Sequence, residues 1–201
     1  MSSDSLSELK KKYSDVDEFL IEKWERIFTL FFDRNRSHSV DHNDFYLVIR
    51  QIRDIYGAES IQMEYARSTM EALFTGLCEI ADKNNDKLVS IDEWITLLRN
   101  AYKKSNEPLP KWFDNYQHFM FKLFDVSADG VLDLAEYTDG MCAYGFKYQD
   151  CHKAFEAFAK TEKGETLHTI DPKLWKKYFT QLFFSTDKKV LGNHLFGLQI
   201  A

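Results

Sequence analysis

The clearest pattern in this chain lies at residues 125–136, which read Asp125-Val126-Ser127-Ala128-Asp129-Gly130-Val131-Leu132-Asp133-Leu134-Ala135-Glu136. Oxygen-bearing side chains stand at positions 1, 3, 5, 9 and 12, which are Asp125, Ser127, Asp129, Asp133 and Glu136. Val131 at position 7 adds a backbone carbonyl. Gly130 at position 6 permits a left-handed turn, which costs other residues roughly 1 kcal/mol or more. This spacing predicts a loop that surrounds a calcium ion with oxygen ligands.

The same pattern occurs twice more, at residues 33–44 and 82–93. Apolar residues spaced as on one helix face come before and after each loop, so each unit is helix, loop, helix, the EF-hand arrangement. A fourth unit follows the third loop. These repeats predict an all-α fold of four EF-hand units in two pairs that form one compact globule, with short β pairing between the loops.

Loop two, residues 82–93, supplies a complete ligand set. The expected ligands are Asp82, Asn84, Asp86, the carbonyl of Leu88, Ser90 and Glu93. Lys87 occupies position 6, where loop three has glycine. Both the strained backbone and the positive charge near the ion oppose binding. We therefore expect loop two to bind calcium more weakly than loop three.

Loop one, residues 33–44, departs further from the loop-three pattern. Its expected ligands are Asp33, Asn35, Ser37, the carbonyl of Ser39, Asp41 and Asp44. Asp44 at position 12 is one methylene shorter than glutamate, which favours Mg²⁺ over Ca²⁺. His38 and His42 lie four residues apart, as two zinc ligands on a helix would. Here they are loop positions 6 and 10, and we expect them to be solvated.

The fourth unit, within residues 155–179, can be aligned in two frames. If Ile170 is position 8, Lys163 is position 1; if Leu167 is position 8, Lys160 is position 1. Neither frame leaves a metal site. We expect a structural hand, because loop three needs a strand partner to cover its edge.

The expected organisation follows from these units. It comprises a lead-in that is frayed or a short helix (1–16), the first EF-hand pair (17–104), a linker with two prolines (105–110), the second pair (111–184) and an apolar tail (185–201). We expect Leu132 to pair with the fourth hand, as Val40 pairs with Val89. The tail is too apolar for a solvated segment. We expect it to pack back on the protein. A sharper hypothesis is that it plugs a groove that a target helix would otherwise fill.

Composition narrows the function classes. Of the 201 residues 44% are hydrophobic, which is ample for a core, and the net charge of -6 argues against a nucleic-acid partner. The three cysteines Cys78, Cys142 and Cys151 have no metal-ligand spacing, so we expect reduced thiols. No apolar run approaches the roughly 20 residues of a membrane span. The first residues resemble no signal peptide, and Ser2 stands where myristoylation needs glycine. We expect a cytoplasmic monomer.

The chain resembles the invertebrate sarcoplasmic calcium-binding proteins of the EF-hand superfamily. The resemblance rests on the three loops, on Leu109-Pro110-Lys111-Trp112 and on the terminal Gly-Asn-His-Leu-Phe-Gly at 192–197. The terminal motif is similar to that of a neuronal signalling branch of this family. That resemblance implies a protein of the neuronal cytosol whose calcium-loaded form moves to membranes and modulates ion channels.

Three functions remain open. A chain with 5 Met and 17 Phe has a stiff core, which favours a calcium/magnesium buffer, whereas unequal loops and the resemblance favour a signalling protein. A photoprotein-like, luciferin-binding enzyme is the third. Photoproteins use a His, Trp and Tyr cluster and end in proline, but here no His lies four residues before Trp175 and the last residue is Ala201. We therefore expect no enzyme and no catalytic residues.

Overall fold

Helices dominate this fold because apolar residues recur at helical spacing along most of the chain. The computed structural model describes residues 3–104, 108–161 and 163–197. Within them the α-helices are α1 (Ser3–Lys12), α2 (Glu18–Ile27), α3 (His42–Tyr56), α4 (Ile61–Ala81), α5 (Ile91–Lys103), α6 (Lys111–Phe124), α7 (Leu134–Ala143), α8 (Tyr148–Phe158) and α9 (Pro172–Phe184). No helix among these residues has the length and apolar character needed to cross a membrane.

In the described part of the chain, four two-residue strands join the loops in pairs. They are β1 (Ser39–Val40), β2 (Val89–Ser90), β3 (Leu132–Asp133) and β4 (Thr169–Ile170). The antiparallel pairs place Val40 opposite Val89 and Leu132 opposite Ile170. The predicted β pairing between loops is confirmed. All four of these apolar residues are buried, so each pair also seals the core beneath its loops.

Helix α2 changes its winding before loop one. Residues Phe28–Phe32 form a π-helical turn, in which the Asp33 N–H donates to the Phe28 carbonyl at 2.8 Å across five residues. The wider turn leaves Phe28, Phe31 and Phe32 buried. Such π turns occur often at functional sites. Side-chain spacing alone predicted an uninterrupted helix here.

The four tryptophans join helices that are distant in sequence. Each indole N–H donates to a backbone carbonyl of another helix, which satisfies a donor that burial would otherwise leave unpaired. The pairs are Trp24 to Phe183 at 2.6 Å, Trp94 to Trp24 at 3.0 Å, Trp112 to Leu73 at 2.8 Å and Trp175 to Gln117 at 3.0 Å. Helices of the first two hands thus pack on helices of the last two around one continuous core.

The fourth loop is longer than the other three. Nine residues separate the flanking helical segments at each of loops one, two and three, but thirteen separate α8 from α9. The pairing of Ile170 with Leu132 selects the frame in which Ile170 is position 8. The extra residues form a small turn closed by the bridge between Lys160 and Thr166.

Both ends of the described chain pack on the core. Helix α1 is followed by Tyr13, whose hydroxyl donates to the Asp92 carboxylate at 2.9 Å. At the other end Leu195 and Phe196 are fully buried. Residues 1–2 of the expected lead-in, 105–107 of the expected linker and 198–201 of the expected tail lie outside the described residues. The three cysteines are free thiols, and Cys151 is buried.

Candidate metal centres

Loop three brings three carboxylates together. Oxygens of Asp125, Asp129 and Glu136 lie within 4.8 Å of one another, and among the described residues this is the one such group of three or more acidic, histidine or cysteine ligands. The first is half-buried at the end of α6, the second is exposed, and the third lies in the first turn of α7. These three carboxylates, which are spaced along the sequence as calcium ligands, therefore lie close together in the folded chain.

One of these oxygens is left without a partner. Asp125 Oδ1 is buried and accepts no hydrogen bond within the structure. An unpaired buried carboxylate oxygen is costly unless a cation or a donor satisfies it. Hard oxygen donors around a gap of this size suit a divalent cation such as Ca²⁺. The residues present therefore fit the ion that the sequence predicted.

The backbone of loop three holds these carboxylates in place. Glu136 accepts from the N–H of Ser127 at 2.9 Å, and Asp125 accepts from the N–H of Gly130 at 3.2 Å. Gly130 has φ +86°, the left-handed conformation expected at position 6. Asp133 caps α7 by accepting from the Glu136 N–H at 2.9 Å. Predicted ligand Val131 donates its own N–H to the Asp129 carboxylate at 3.0 Å.

Loop two has the same backbone path with less favourable residues. Lys87 adopts φ +64°, so position 6 is left-handed without a glycine. Its N–H donates to Asp82 at 3.0 Å, the equivalent of the Gly130 bond. The side chains of the predicted ligands Asn84 and Asp86 hydrogen-bond each other at 2.9 Å. Predicted ligand Leu88 donates its N–H to Asp86 at 2.8 Å.

The position-12 acid of loop two is held by several donors. The Ser90 hydroxyl donates to Glu93 at 2.7 Å, and the Lys83 N–H donates to it at 3.0 Å. Burial alone would raise the pKa of Glu93, but hydrogen bonds from Lys83 and Ser90 outweigh it, and the pKa is lowered. The carboxylate is thus kept charged, as a metal ligand must be.

The first and last acids of loop one are more buried than those of the other two loops. Asp33 and Asp44 are almost inaccessible to solvent, at 2% and 1% exposure. Burial raises the pKa of Asp44, although the N–H groups of Asp41 and Asn35 donate to it. Burial of a carboxylate favours the binding of either a proton or a cation.

Polar side chains of loop one form hydrogen bonds with the loop backbone. The Ser37 hydroxyl donates to the Ser39 carbonyl at 2.8 Å, and the Ser37 N–H donates to Asn35 Oδ1 at 2.8 Å. His38 adopts φ +69° at position 6. Among the described residues, the acids of loops one and two do not converge as those of loop three do.

One residue beside the site was not among the predicted functional residues. Tyr137 directly follows the ligand Glu136, is fully buried, and donates its hydroxyl to the Leu195 carbonyl at 2.9 Å. Its place after the last loop position was visible in the sequence, but the identity of its partner depends on how the tail folds back.

Relatives of similar sequence identify the family. Calexcitin-1 from Caenorhabditis elegans is 58% identical over 194 residues, which cover 96% of this chain and 94% of the relative. The chain belongs to the calexcitin family, within the sarcoplasmic calcium-binding proteins. No protein-family model matches the chain.

Solved structures share the fold of this calexcitin-family chain. A sarcoplasmic calcium-binding protein from amphioxus superposes with a TM-score of 0.74 at 23% identity, covering 92% of this chain and 100% of that one. Calcium-loaded apo-aequorin from Aequorea victoria gives a TM-score of 0.60 at 17% identity, covering 85% and 93%. The predicted all-α EF-hand globule is confirmed, and the fold by itself is common to sarcoplasmic proteins and photoproteins.

Proposed function

We propose that this chain is an intracellular calcium-binding signalling protein whose calcium-loaded form changes conformation and modulates a protein target. The convergence of Asp125, Asp129 and Glu136 around the unpaired Asp125 oxygen carries the proposal. The proposed occupancy is Ca²⁺ at loops two and three, with Mg²⁺ at loop one in resting conditions. The short position-12 side chain of Asp44 supports the assignment of Mg²⁺.

Unequal loops support signalling over plain buffering. Loop three has a turn glycine and no basic residue, loop two has Lys87 at the turn, and loop one ends in a buried aspartate. Sites of graded strength fill in sequence as calcium rises, so the protein can pass through distinct partly loaded states. We propose the order loop three, loop two, loop one.

A sarcoplasmic-type calcium/magnesium buffer is the second candidate. Four fully buried indole and phenyl side chains, Trp24, Trp94, Phe113 and Phe183, lie at the junction of the two halves and favour a stiff core with modest opening. A buffer would bind the same ions without gaining affinity for a target or a membrane.

The core offers little support for a luciferin-binding enzyme. The cavity bounded by Phe31, Asp44 and Tyr144 measures about 10 Å³, which is room for about one water molecule. The indole of Trp175 is already bonded to Gln117 and packed against Phe121 and Phe124. Absence of light on addition of coelenterazine and calcium would agree with this view.

Calorimetry on Glu136→Gln tests the site assignment. Because this change removes one carboxylate of the converged cluster, we expect the tightest calcium site to be lost and the weaker two to remain. Glu93→Gln is the matched control, and it should remove an intermediate site and leave the tightest one. The proposed order fails if Glu136→Gln retains the tightest site.

A membrane assay separates signalling from buffering. With Mg²⁺ at its physiological concentration, a signalling protein should bind vesicles made from neuronal membranes in calcium and be released by a chelator. A buffer should stay in the supernatant in both conditions. Tracking the hydrodynamic radius in the same titration shows whether conformation changes as the sites fill.

A further inference from the structure

The end of the described chain sits in a pocket formed by several helices. The ring of Phe196 stacks on Phe31 with a centroid distance of 4.2 Å and meets Phe179 edge-on at 6.0 Å. Phe31 is two residues before loop one, and Phe179 lies in α9. The segment therefore contacts both the first and the fourth hand.

A buried lysine fixes the same segment. Lys23 in α2 is 4% exposed and donates to the side chain of Asn193 at 3.1 Å and to the carbonyl of Ser185 at 2.7 Å. At Gly192 the chain lies so close to α9 that an added Cβ would be 2.4 Å from the Tyr178 carbonyl. These contacts give residues 191–197 one defined position.

Tyr137 links this segment to loop three. Its hydroxyl donates to the Leu195 carbonyl at 2.9 Å, and both groups are buried. Since Tyr137 follows Glu136 directly in α7, a rigid movement of this helix that displaces Glu136 also displaces the Tyr137 hydroxyl.

We propose that Tyr137 is a positioning residue for the ligand Glu136, and that the docked segment 191–197 acts through it to strengthen calcium binding at loop three. The inference rests on the proposed function of loop three. It follows from one observation: helix α7 carries both the predicted ligand Glu136 and Tyr137, whose hydroxyl is bonded to the docked segment.

Linkage makes the effect reciprocal. If docking of the segment favours the converged carboxylates, calcium must favour docking by the same factor. Calcium should therefore protect residues 191–197, and loss of the segment should weaken calcium binding. A segment that only filled space would show neither effect selectively at loop three.

The test compares two tyrosines that make the same kind of bond. Tyr137→Phe removes the hydroxyl beside loop three. Tyr178→Phe is the matched control, because the buried Tyr178 in α9 donates to the Lys160 carbonyl at 2.7 Å beside the fourth loop, in which we expect no metal site. Both variants also carry Glu93→Gln and Asp44→Asn, which remove the position-12 carboxylates of loops two and one. Calorimetry then reports calcium binding at loop three alone.

We expect Tyr137→Phe to lower the calcium affinity of loop three by about threefold to tenfold, the typical value of one buried hydrogen bond. Tyr178→Phe should leave that affinity unchanged while lowering thermal stability to a similar degree. Equal affinities for Tyr137→Phe and its parent, or equal losses for the two variants, would overturn the proposal.

Truncation after Thr186 completes a double-mutant cycle. In the truncated chain Tyr137→Phe should have no further effect on calcium affinity, since the Leu195 carbonyl is gone. A full additional loss would show that the hydroxyl acts by another route. If truncation prevents folding, the two full-length tyrosine variants still decide the matter.

Hydrogen exchange separates the two proposals. In the intact wild-type chain, amides of residues 191–197 should exchange more slowly with calcium than without it, and Glu136→Gln should abolish the difference. If loop three binds calcium but exchange in 191–197 does not change, only the coupling is wrong. If loop three binds no calcium, the proposed function is wrong as well.

Discussion

Position 6 distinguishes the three loops at the level of single residues. Gly130, Lys87 and His38 all adopt a left-handed backbone, with φ of +86°, +64° and +69°. Glycine reaches this conformation freely, whereas other residues are strained by about 1–2 kcal/mol. In loop two, the positive charge of Lys87 near the predicted ion position opposes calcium binding in addition to this strain. The three loops therefore share a left-handed backbone at position 6, and the residue at that position determines how much strain results.

Lys87→Gly should improve loop two in two ways. Glycine relieves the left-handed strain in the folded state, but it also gives the unfolded chain more conformational freedom. The net effect should be a rise of about 0.5–1 kcal/mol in the unfolding free energy of the calcium-free protein. Removal of the charge should also raise calcium affinity by about fivefold. Denaturant unfolding and calorimetry measure the two effects.

Lys87→Gln is the control for that pair of effects, because it removes the charge and keeps the strained side chain. It should raise the calcium affinity of loop two and leave stability near the wild-type value. Were both variants to gain equal stability, backbone strain would not be the cause.

At the level of elements, each loop depends on the strand opposite it. Ile170 of β4 is 1% exposed and faces Leu132 of β3, so the fourth hand supports loop three. Ile170→Ala should lower the unfolding free energy by about 2–4 kcal/mol, the usual effect of a large-to-small change in a core. It should also weaken calcium binding at loop three, because β3 lies within that loop.

Val89→Ala provides the mirror-image comparison, since Val89 faces Val40 in the other pair. Its effect on calcium binding should fall on loops one and two and spare loop three. Calorimetry on both variants shows which loops weaken. Identical changes at all three loops would mean that the strands act through overall stability alone.

The elements that could be predicted from the sequence are those set by residues close together along the chain. Ligand spacing located the loops, and Val40, Val89 and Leu132 revealed the strand pairs. The π turn at Phe28–Phe32 was not predictable, because a run of aromatic residues suits either winding and tertiary packing chooses between them. The frame of the fourth loop stayed open for a related reason: spacing does not show where α8 ends.

For the whole molecule, the docked segment 191–197 covers apolar surface that the helices leave open. Truncation after Thr186 removes the fully buried Leu195 and Phe196 and uncovers Phe31 and Phe179. Hydrophobic-dye fluorescence should therefore rise in the calcium-loaded truncated chain. A synthetic peptide of residues 187–201 should reverse the rise, and unchanged dye binding on truncation would contradict the plug hypothesis.

Contacts of this kind set the limit of prediction from sequence. The apolar character of the tail indicated that it packs on the protein. Its partners, Lys23 to Asn193 and Tyr137 to Leu195, join residues more than fifty positions apart and depend on the complete fold. The carboxylates of loop three, by contrast, lie within twelve residues, so local spacing was enough.

The thirteen-residue fourth loop has a consequence for how this protein can evolve. Point mutation could place a carboxylate at every ligand position, but the turn closed by Lys160 and Thr166 would still hold the start of the loop away from its end. A calcium site in this hand would therefore need a deletion of four residues, the difference between thirteen and nine, before any change of ligand. Substitutions alone should leave the fourth hand with its structural role of pairing β4 with β3.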